Sequence, residues 1–321
     1  ADTNNHRIRK IDTSSGTVTT IAGSGVAGFQ DHQTNAASGK LLYPSAVAVN
    51  SDGTKLYVAD KDNHRIRFIA LDTPATISTL AGTGTAGFAD GQGQSVAQFN
   101  TPTGVTVDSS GNVYIADREN HRIRKVVPSS GVVTTLAGSG AAGFADNTDG
   151  QTAEFNQPSD LAIDQHGNLY IADSGNHRLR KMDLSGAVST VAGAGTAGYA
   201  DSTTGSLIPP DRTEFNSPSA ITVSAGTIYL SDTGNNKVRR IFRDTLPSFN
   251  PATSPLTGNT FQAVSTLIPL NLSPGATYHF RAVAENQRGQ AQGPITSFTT
   301  LTSQEIALVD DSTNLSLTHS Q

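Results

Sequence analysis

The stretch Asp117-Arg118-Glu119-Asn120-His121-Arg122-Ile123-Arg124 decides the fold, because it is not alone. Asp-x-x-Asn-His-Arg recurs at Asp2 to Arg7, Asp60 to Arg65 and Asp173 to Arg178, and a degenerate copy runs from Asp232 to Lys237. The Asp positions step by 58, 57, 56 and 59 residues. Self-similarity at a fixed period marks a repeat architecture. Working outward from Asp117, the unit reads as four short apolar runs, Gly104 to Asp108, Asn112 to Asp117, His121 to Val126 and Val132 to Ala137. Ser109-Ser110-Gly111 and Ser129-Ser130-Gly131 punctuate them. Alternating or β-branched runs bounded by turn residues are strands, and four antiparallel strands per unit make a propeller blade. The fold class is therefore all-β, a five- to six-bladed β-propeller with six preferred, closed or extended by a small β C-terminal appendage.

A second signature lies between the fourth strand of one unit and the first of the next. It reads Ala27-Gly28-Phe29-x-Asp31, Ala86-Gly87-Phe88-x-Asp90, Ala142-Gly143-Phe144-x-Asp146 and Ala197-Gly198-Tyr199-x-Asp201. Three of these connectors end in Phe-Asn-x-Pro, at Phe99-Asn100, Phe155-Asn156 and Phe215-Asn216. Each must cross from the outermost strand of one blade to the innermost strand of the next, so the connectors lie over one face of the disc.

These units resemble NHL repeats, whose Asn-His-Leu-like triplet appears as Asn5-His6-Arg7-Ile8, Asn63-His64-Arg65-Ile66, Asn120-His121-Arg122-Ile123 and Asn176-His177-Arg178-Leu179. The match covers residues 1–242 and implies a propeller, most often six-bladed, while saying little about chemistry. The chain opens in mid-repeat, as a processed or cloned fragment would. Residues 243–270 read as an insertion, with Ala263 to Leu267 similar to a fourth strand. Residues 271–301 resemble the last strands of a fibronectin type III domain, or supply ring-closing strands near 278 to 285 and 294 to 300. Residues 302–321 read as a flexible tail.

Composition narrows the function. The 321 residues hold 22 Lys and Arg against 27 Asp and Glu, a formal charge of −5, and 6% aromatics. That balance counts against nucleic acid as a partner. With no Cys, thiol catalysis, disulfides and Cys-ligated zinc are excluded. No apolar run reaches the ~18 residues of a membrane span.

The repeated residues favour structural duties. Each motif His occupies the same station of a different blade, which disfavours convergence on one ion; the motif Asp is expected to cap its turn through an Asx bond. The paired cations, such as Arg122 and Arg124, are spaced to share one strand face and to pair with the repeated Asp. The connector acids Asp31, Asp90, Asp146 and Asp201 are candidate metal ligands, calcium being the ion suited to carboxylate and amide oxygens. Irregular additions in the connectors, Asp149, Glu154, Asp211 and Glu214, broaden the ligand set. After each Pro-Ser or Pro-Thr stands Ala46, Gly104, Asp160 or Ala220, so only Asp160 puts charge at the mouth of an inner strand. Burying a carboxylate requires compensation, which makes Asp160 the leading candidate for metal, ligand or catalytic work. Glu154, Glu214, Asn100, Asn156 and Asn216 are further ligand candidates, and His32 is a second catalytic candidate. His166 sits in an exposed turn on the opposite side.

Two functions remain open. One is an extracellular, periplasmic or cell-surface binding module of bacterial type, presenting the loop-lined funnel face to a protein or glycan. The other is a calcium- or zinc-dependent hydrolase acting on a lactone or ester. It is implied by similarity in plan to six-bladed lactonases and the peptide amidating lyase, although no residue string here matches their ligand motifs.

Overall fold

The computed structural model describes residues 1–201, 213–224 and 226–242, together with four short strands between residues 277 and 299. The chain divides into two units, Ala1–Phe242 and Arg243–Gln321. The first begins with a two-stranded sheet, β1 (Ile8–Ile11) and β2 (Val18–Ala22). A four-stranded antiparallel sheet follows, formed by β3 (Pro44–Val49), β4 (Lys55–Asp60), β5 (Arg65–Ala70) and β6 (Thr76–Ala81) in sequential order. In the next, the two-residue β7 (Gly91–Gln92) flanks β11 (Val132–Ala137), which is followed inward by β10 (Arg122–Val127), β9 (Val113–Asp117) and β8 (Pro102–Val107). The third has β12 (Pro158–Ile163), β13 (Leu169–Asp173), β14 (Arg178–Met182) and β15 (Val188–Ala192) in order, and the fourth has β16 (Pro218–Ser224), β17 (Thr227–Asp232) and β18 (Lys237–Phe242). Four blades are thus seen, and the innermost strands β3, β8, β12 and β16 are successive neighbours. The count of five to six expected from the sequence is not reached among the described residues.

The core lies between blades. Ile66 and Ala81 of one blade pack with Phe99, Val105, Val113 and Ile115 of the connector and blade that follow. Ile123 and Ala137 meet Phe155, Leu161 and Ile171 in the same way, and Leu179 and Ala192 meet Phe215, Ile221 and Leu230. The inward-facing members of each alternating strand therefore bury themselves only when the next blade is present.

The Asn-His-Arg motif forms the joint at one end of these interfaces. A single 3-10 turn, Arg118–Asn120, ends with His121 in the left-handed region at φ 52°, its amide returning to Arg118 O. That conformation turns the imidazole toward the next blade, where Nδ1 accepts the Gln157 amide at 3.0 Å. The other copies repeat this: Tyr43 donates to His6, Thr101 to His64 and Ser217 to His177, at 3.0 to 3.2 Å. The donating residues are themselves left-handed, with φ from 48° to 54°. Such a backbone is costly for a residue with a Cβ, above all for β-branched Thr101, so each joint holds two unfavourable conformations in place by one hydrogen bond. Because Nδ1 is the acceptor, it must be unprotonated; burial lowers the pKa of His64 and His121 and keeps it so.

The motif Asp departs from expectation. It accepts no backbone bond from its own turn. Asp117 instead uses Oδ1 to accept the Asn100 amide at 2.8 Å, while Oδ2 accepts Asn120 Nδ2 at 2.8 Å and an Arg124 guanidinium nitrogen at 2.7 Å. The Asx cap is replaced because the buried guanidinium is the stronger, charged donor.

In the second unit, β19 (Thr277–Phe280) pairs antiparallel with β22 (Thr296–Thr299), and β20 (Val283–Asn286) with β21 (Gly289–Gln292). Four strands thus occur where two were expected. The proposed fourth strand at Ala263 to Leu267, the whole 243–270 insertion and the 302–321 tail lie outside the described residues.

Candidate functional site

Each buried arginine of the repeated pairs gathers two carboxylates. Arg124 has no exposed side chain; it bonds Asp117 at 2.7 Å and the connector Asp90 at 2.6 Å, and donates to the carbonyls of Gln98 and Ala89 at 3.1 and 2.7 Å. Arg67 links Asp60 with Asp31, Arg180 links Asp173 with Asp146, and Arg239 links Asp232 with Asp201. The connector carboxylates proposed as metal ligands are accordingly held in four separate places, each by its own guanidinium. Among the described residues, no group of three or more His, Cys, Asp or Glu side chains is placed to hold a metal ion.

The partner arginine of each pair lies against the connector aromatic. Arg122 stands 3.8 Å from the centre of the Phe88 ring and Arg124 4.8 Å from it; Arg178 and Arg180 approach Phe144 at 3.6 and 4.8 Å, and Arg65 and Arg67 approach Phe29 at 3.8 and 4.9 Å. Both members of a pair thus share one strand face. Phe29, Phe88, Phe144 and Tyr199 remain 42 to 48% exposed, so guanidinium stacking positions each ring without covering it.

The remaining candidates are dispersed. His32 accepts the Asn35 amide through Nδ1, and Asp149 accepts the Gln151 amide at the start of a 3-10 turn. Glu154 and Glu214 pack on Gly143 and Gly198 of their connectors. The amides of Asn100, Asn156 and Asn216 donate to the motif carboxylates Asp117, Asp173 and Asp232, and the Asn156 and Asn216 side chains abut Gly175 and Gly234. Asp211 lies outside the described residues. His166 is exposed in its turn beside Asp164.

Asp160 is different in kind. It sits in β12, whose first residue, Pro158, pairs with the motif residue Asp173, so it lies near the same end of the blade as the joint. Its Oδ2 accepts the Ile221 amide of the next inner strand at 3.0 Å, and the Leu161 amide also bonds the carboxyl. Half-buried between strands and lacking a cationic partner among the described residues, the carboxyl is pushed up to about 7 by desolvation, against those two amides. On its other side lies Gly104. A Cβ there would meet Asp160 Cα and Oδ1 at 2.6 Å and Ser159 O at 3.1 Å. This glycine is what lets β8 approach Asp160, and it was visible in the sequence as the small residue at the station equivalent to Asp160. Gly104→Ala is expected to cost about 1–3 kcal/mol in urea unfolding. Asp160→Ala should not rescue it, because a backbone carbon and a carbonyl are among the obstacles. A loss below about 0.5 kcal/mol, the scale of ordinary surface substitutions, would refute the close approach.

Comparison with known proteins agrees with this construction. The NHL repeat family matches residues 41–67, 99–126 and 155–182. The chain is 35% identical over 150 residues to the chloroplastic protein SUPPRESSOR OF QUENCHING 1 of Arabidopsis thaliana, covering 44% of this chain and 14% of that one. It is 32% identical over 187 residues to NHL repeat-containing protein 2 of Homo sapiens, covering 55% and 25%. The chain spans a quarter or less of the length of these relatives. In fold it is similar to a structural genomics protein of unknown function from Bacteroides thetaiotaomicron, with a TM-score of 0.52, 22% identity, and coverage of 74% of this chain and 64% of that one. Motif, joint geometry and these matches converge: the chain carries NHL repeats folded as the blades of a β-propeller.

Proposed function

We propose that this propeller is a non-catalytic binding module, extracellular or in the cell envelope, that presents its connector face to a protein or glycan. The observation that carries this reading is the set of exposed rings at Phe29, Phe88, Phe144 and Tyr199, the three Phe rings each held by two arginines and Tyr199 by Lys237 and Arg239. Large apolar rings in water contribute little to the fold, whereas pre-positioned aromatics give contact area at small entropic cost. The C–H faces of sugars and the side chains of a protein surface both pack on such rings. The fibronectin type III-like stretch within residues 271–301 supports placement at a cell surface.

A calcium- or zinc-dependent lactonase-type hydrolase is the second reading, favoured by one observation, the Asp160 carboxyl near 7 at the propeller hub. Against it, calcium takes six to eight oxygens, and Asp160 supplies at most two. The deciding experiment applies immobilised glycan and peptide arrays to the wild-type chain and to Phe88→Ala/Phe144→Ala, beside a γ-lactone hydrolysis assay with calcium and with chelator. Saturable array signal that falls at least about tenfold in the variant, with no lactone turnover, is expected from loss of two anchoring rings. Array signal indifferent to both substitutions, or calcium-dependent turnover that chelator abolishes, would overturn the binding-module reading.

A further inference from the structure

A cavity of about 430 Å³ opens where the inner strands meet, lined by residues of β3, β8, β12 and β16. That volume suits a side-chain-sized guest. Its wall includes Val47, Val49, Val107 and Ile221, with the hydroxyl residues Ser45 and Thr222. Asp160 is the one lining residue whose side chain ionises. The strands packed on β12 add no charge on the inner side, since Pro102–Val107 and Pro218–Ser224 contain no ionisable side chain, and neither does Pro44–Val49. From β13, Asp173 is already held by Arg180, and the Tyr170 hydroxyl bonds Asp164.

We infer that the hub is a recognition subsite for an alkylammonium group, with the Asp160 carboxylate as counter-ion and the mixed wall of valine, serine and threonine receiving the alkyl stem. The inference rests on the binding-module reading and deepens it by naming the chemistry of the guest. A guanidinium fits less well, because its fork seeks two open carboxylate oxygens, whereas the Ile221 amide holds Oδ2 and the Leu161 amide also bonds the carboxyl. An ammonium is a point charge that needs one. A metal ion would need several further hard oxygens. Of the small residues at the equivalent stations, Ala46 lines the cavity.

Isothermal titration of the full chain with n-pentylammonium chloride, with Nα-acetyl-lysine N-methylamide, and with n-pentanol as neutral control tests this. At least one ammonium probe is expected to bind saturably and n-pentanol not to. Affinity should rise about tenfold between about pH 6 and pH 8, as a carboxyl near 7 ionises. Asp160→Asn, which keeps shape and acceptor, should weaken binding at least about tenfold. Val47→Phe, which fills the cavity without touching the carboxyl, should do the same, both variants being checked for native circular dichroism. Stronger binding of pentylammonium assigns the site to a free amine; equal or stronger binding of the lysine derivative assigns it to a partner's side chain. Binding unchanged by Asp160→Asn, equal binding of n-pentanol, or no binding by either ammonium would overturn the inference. With array signals intact such a failure leaves the wider reading standing, whereas calcium-dependent lactone turnover defeats that reading itself.

Discussion

Replacing Arg124 by Ala should destabilise the chain by about 3–5 kcal/mol, the scale seen when one member of a buried ion pair is removed. The guanidinium is fully buried, and its loss strands Asp117, which is equally buried, with only the Asn120 amide group and the Asn100 backbone amide as donors. Two backbone carbonyls, Gln98 O and Ala89 O, lose the guanidinium donor as well, although Ala89 O keeps the Gln98 amide. The other end of the same network should respond very differently. Asp90 is 42% exposed, so Asp90→Asn should cost no more than about 1 kcal/mol, as surface pairs do. The double variant Arg124→Met/Asp117→Asn should recover part of the loss, because no uncompensated charge then remains in the interior. Urea unfolding followed by circular dichroism separates these cases. Equal costs for Asp90→Asn and Arg124→Ala would show that the carboxylate–guanidinium network is not divided into a dry end and a wet end.

The second large effect is a pH dependence with an unusual sign. The Asp160 carboxyl stands near 7 in the folded chain, well above an ordinary aspartate near 3.9. Between those values the folded state holds a proton that the unfolded state has released. Stability therefore falls as pH rises from about 4 to about 7, and is level beyond. The span corresponds to about 2–4 kcal/mol, the upper value being roughly three pKa units at ~1.4 kcal/mol each and the partial exposure of Asp160 reducing it. Asp160→Asn abolishes this contribution, so its stability relative to wild type should climb across the same window and stay high at about pH 8. Thermal melts of the two proteins at several pH values measure the difference directly. A difference that is flat with pH would mean that Asp160 is ionised throughout, held by a cation that the described residues do not supply. The histidine joints act in the opposite direction. His64 and His121 have lowered pKa values, so the stability they contribute is present above about 6.5 and declines as pH falls below it.

Most of the blade plan was legible because it rests on local periodicity. Ser-Ser-Gly turns, β-branched runs and the recurring motif each report on a handful of neighbouring residues, and β8 to β11 fall within a few residues of the runs read from the sequence. Symmetry also singled out Asp160, since a lone acid among Ala46, Gly104 and Ala220 is visible without coordinates. What escaped were pairings across the chain. Asp117 and Asn100 are 17 residues apart, and Arg124 and Asp90 are 34 apart. Nothing local says that a connector carboxylate will turn inward to a guanidinium rather than outward to an ion. The pairing of Arg124 with the motif Asp117 was expected from the strand spacing, but the backbone cap was not found: Asp117 takes the Asn120 side chain of its own turn and, through Oδ1, the Asn100 amide of the preceding connector. Gly104 was seen, but its meaning required knowing that β8 and β12 touch.

The imidazole joints have a consequence for how damage spreads. Each one spans a single boundary, from His64 to Thr101, His121 to Gln157, or His177 to Ser217. No described histidine joint skips a blade. The propeller is thus a row of couplings between adjacent members only, like spins on a line, and free energy lost at one boundary is not relayed to the next but one. Substitutions at His64 and His177 should behave as independent events whose costs simply add, while changes at His64 and Thr101 share one coupling and cannot be counted twice.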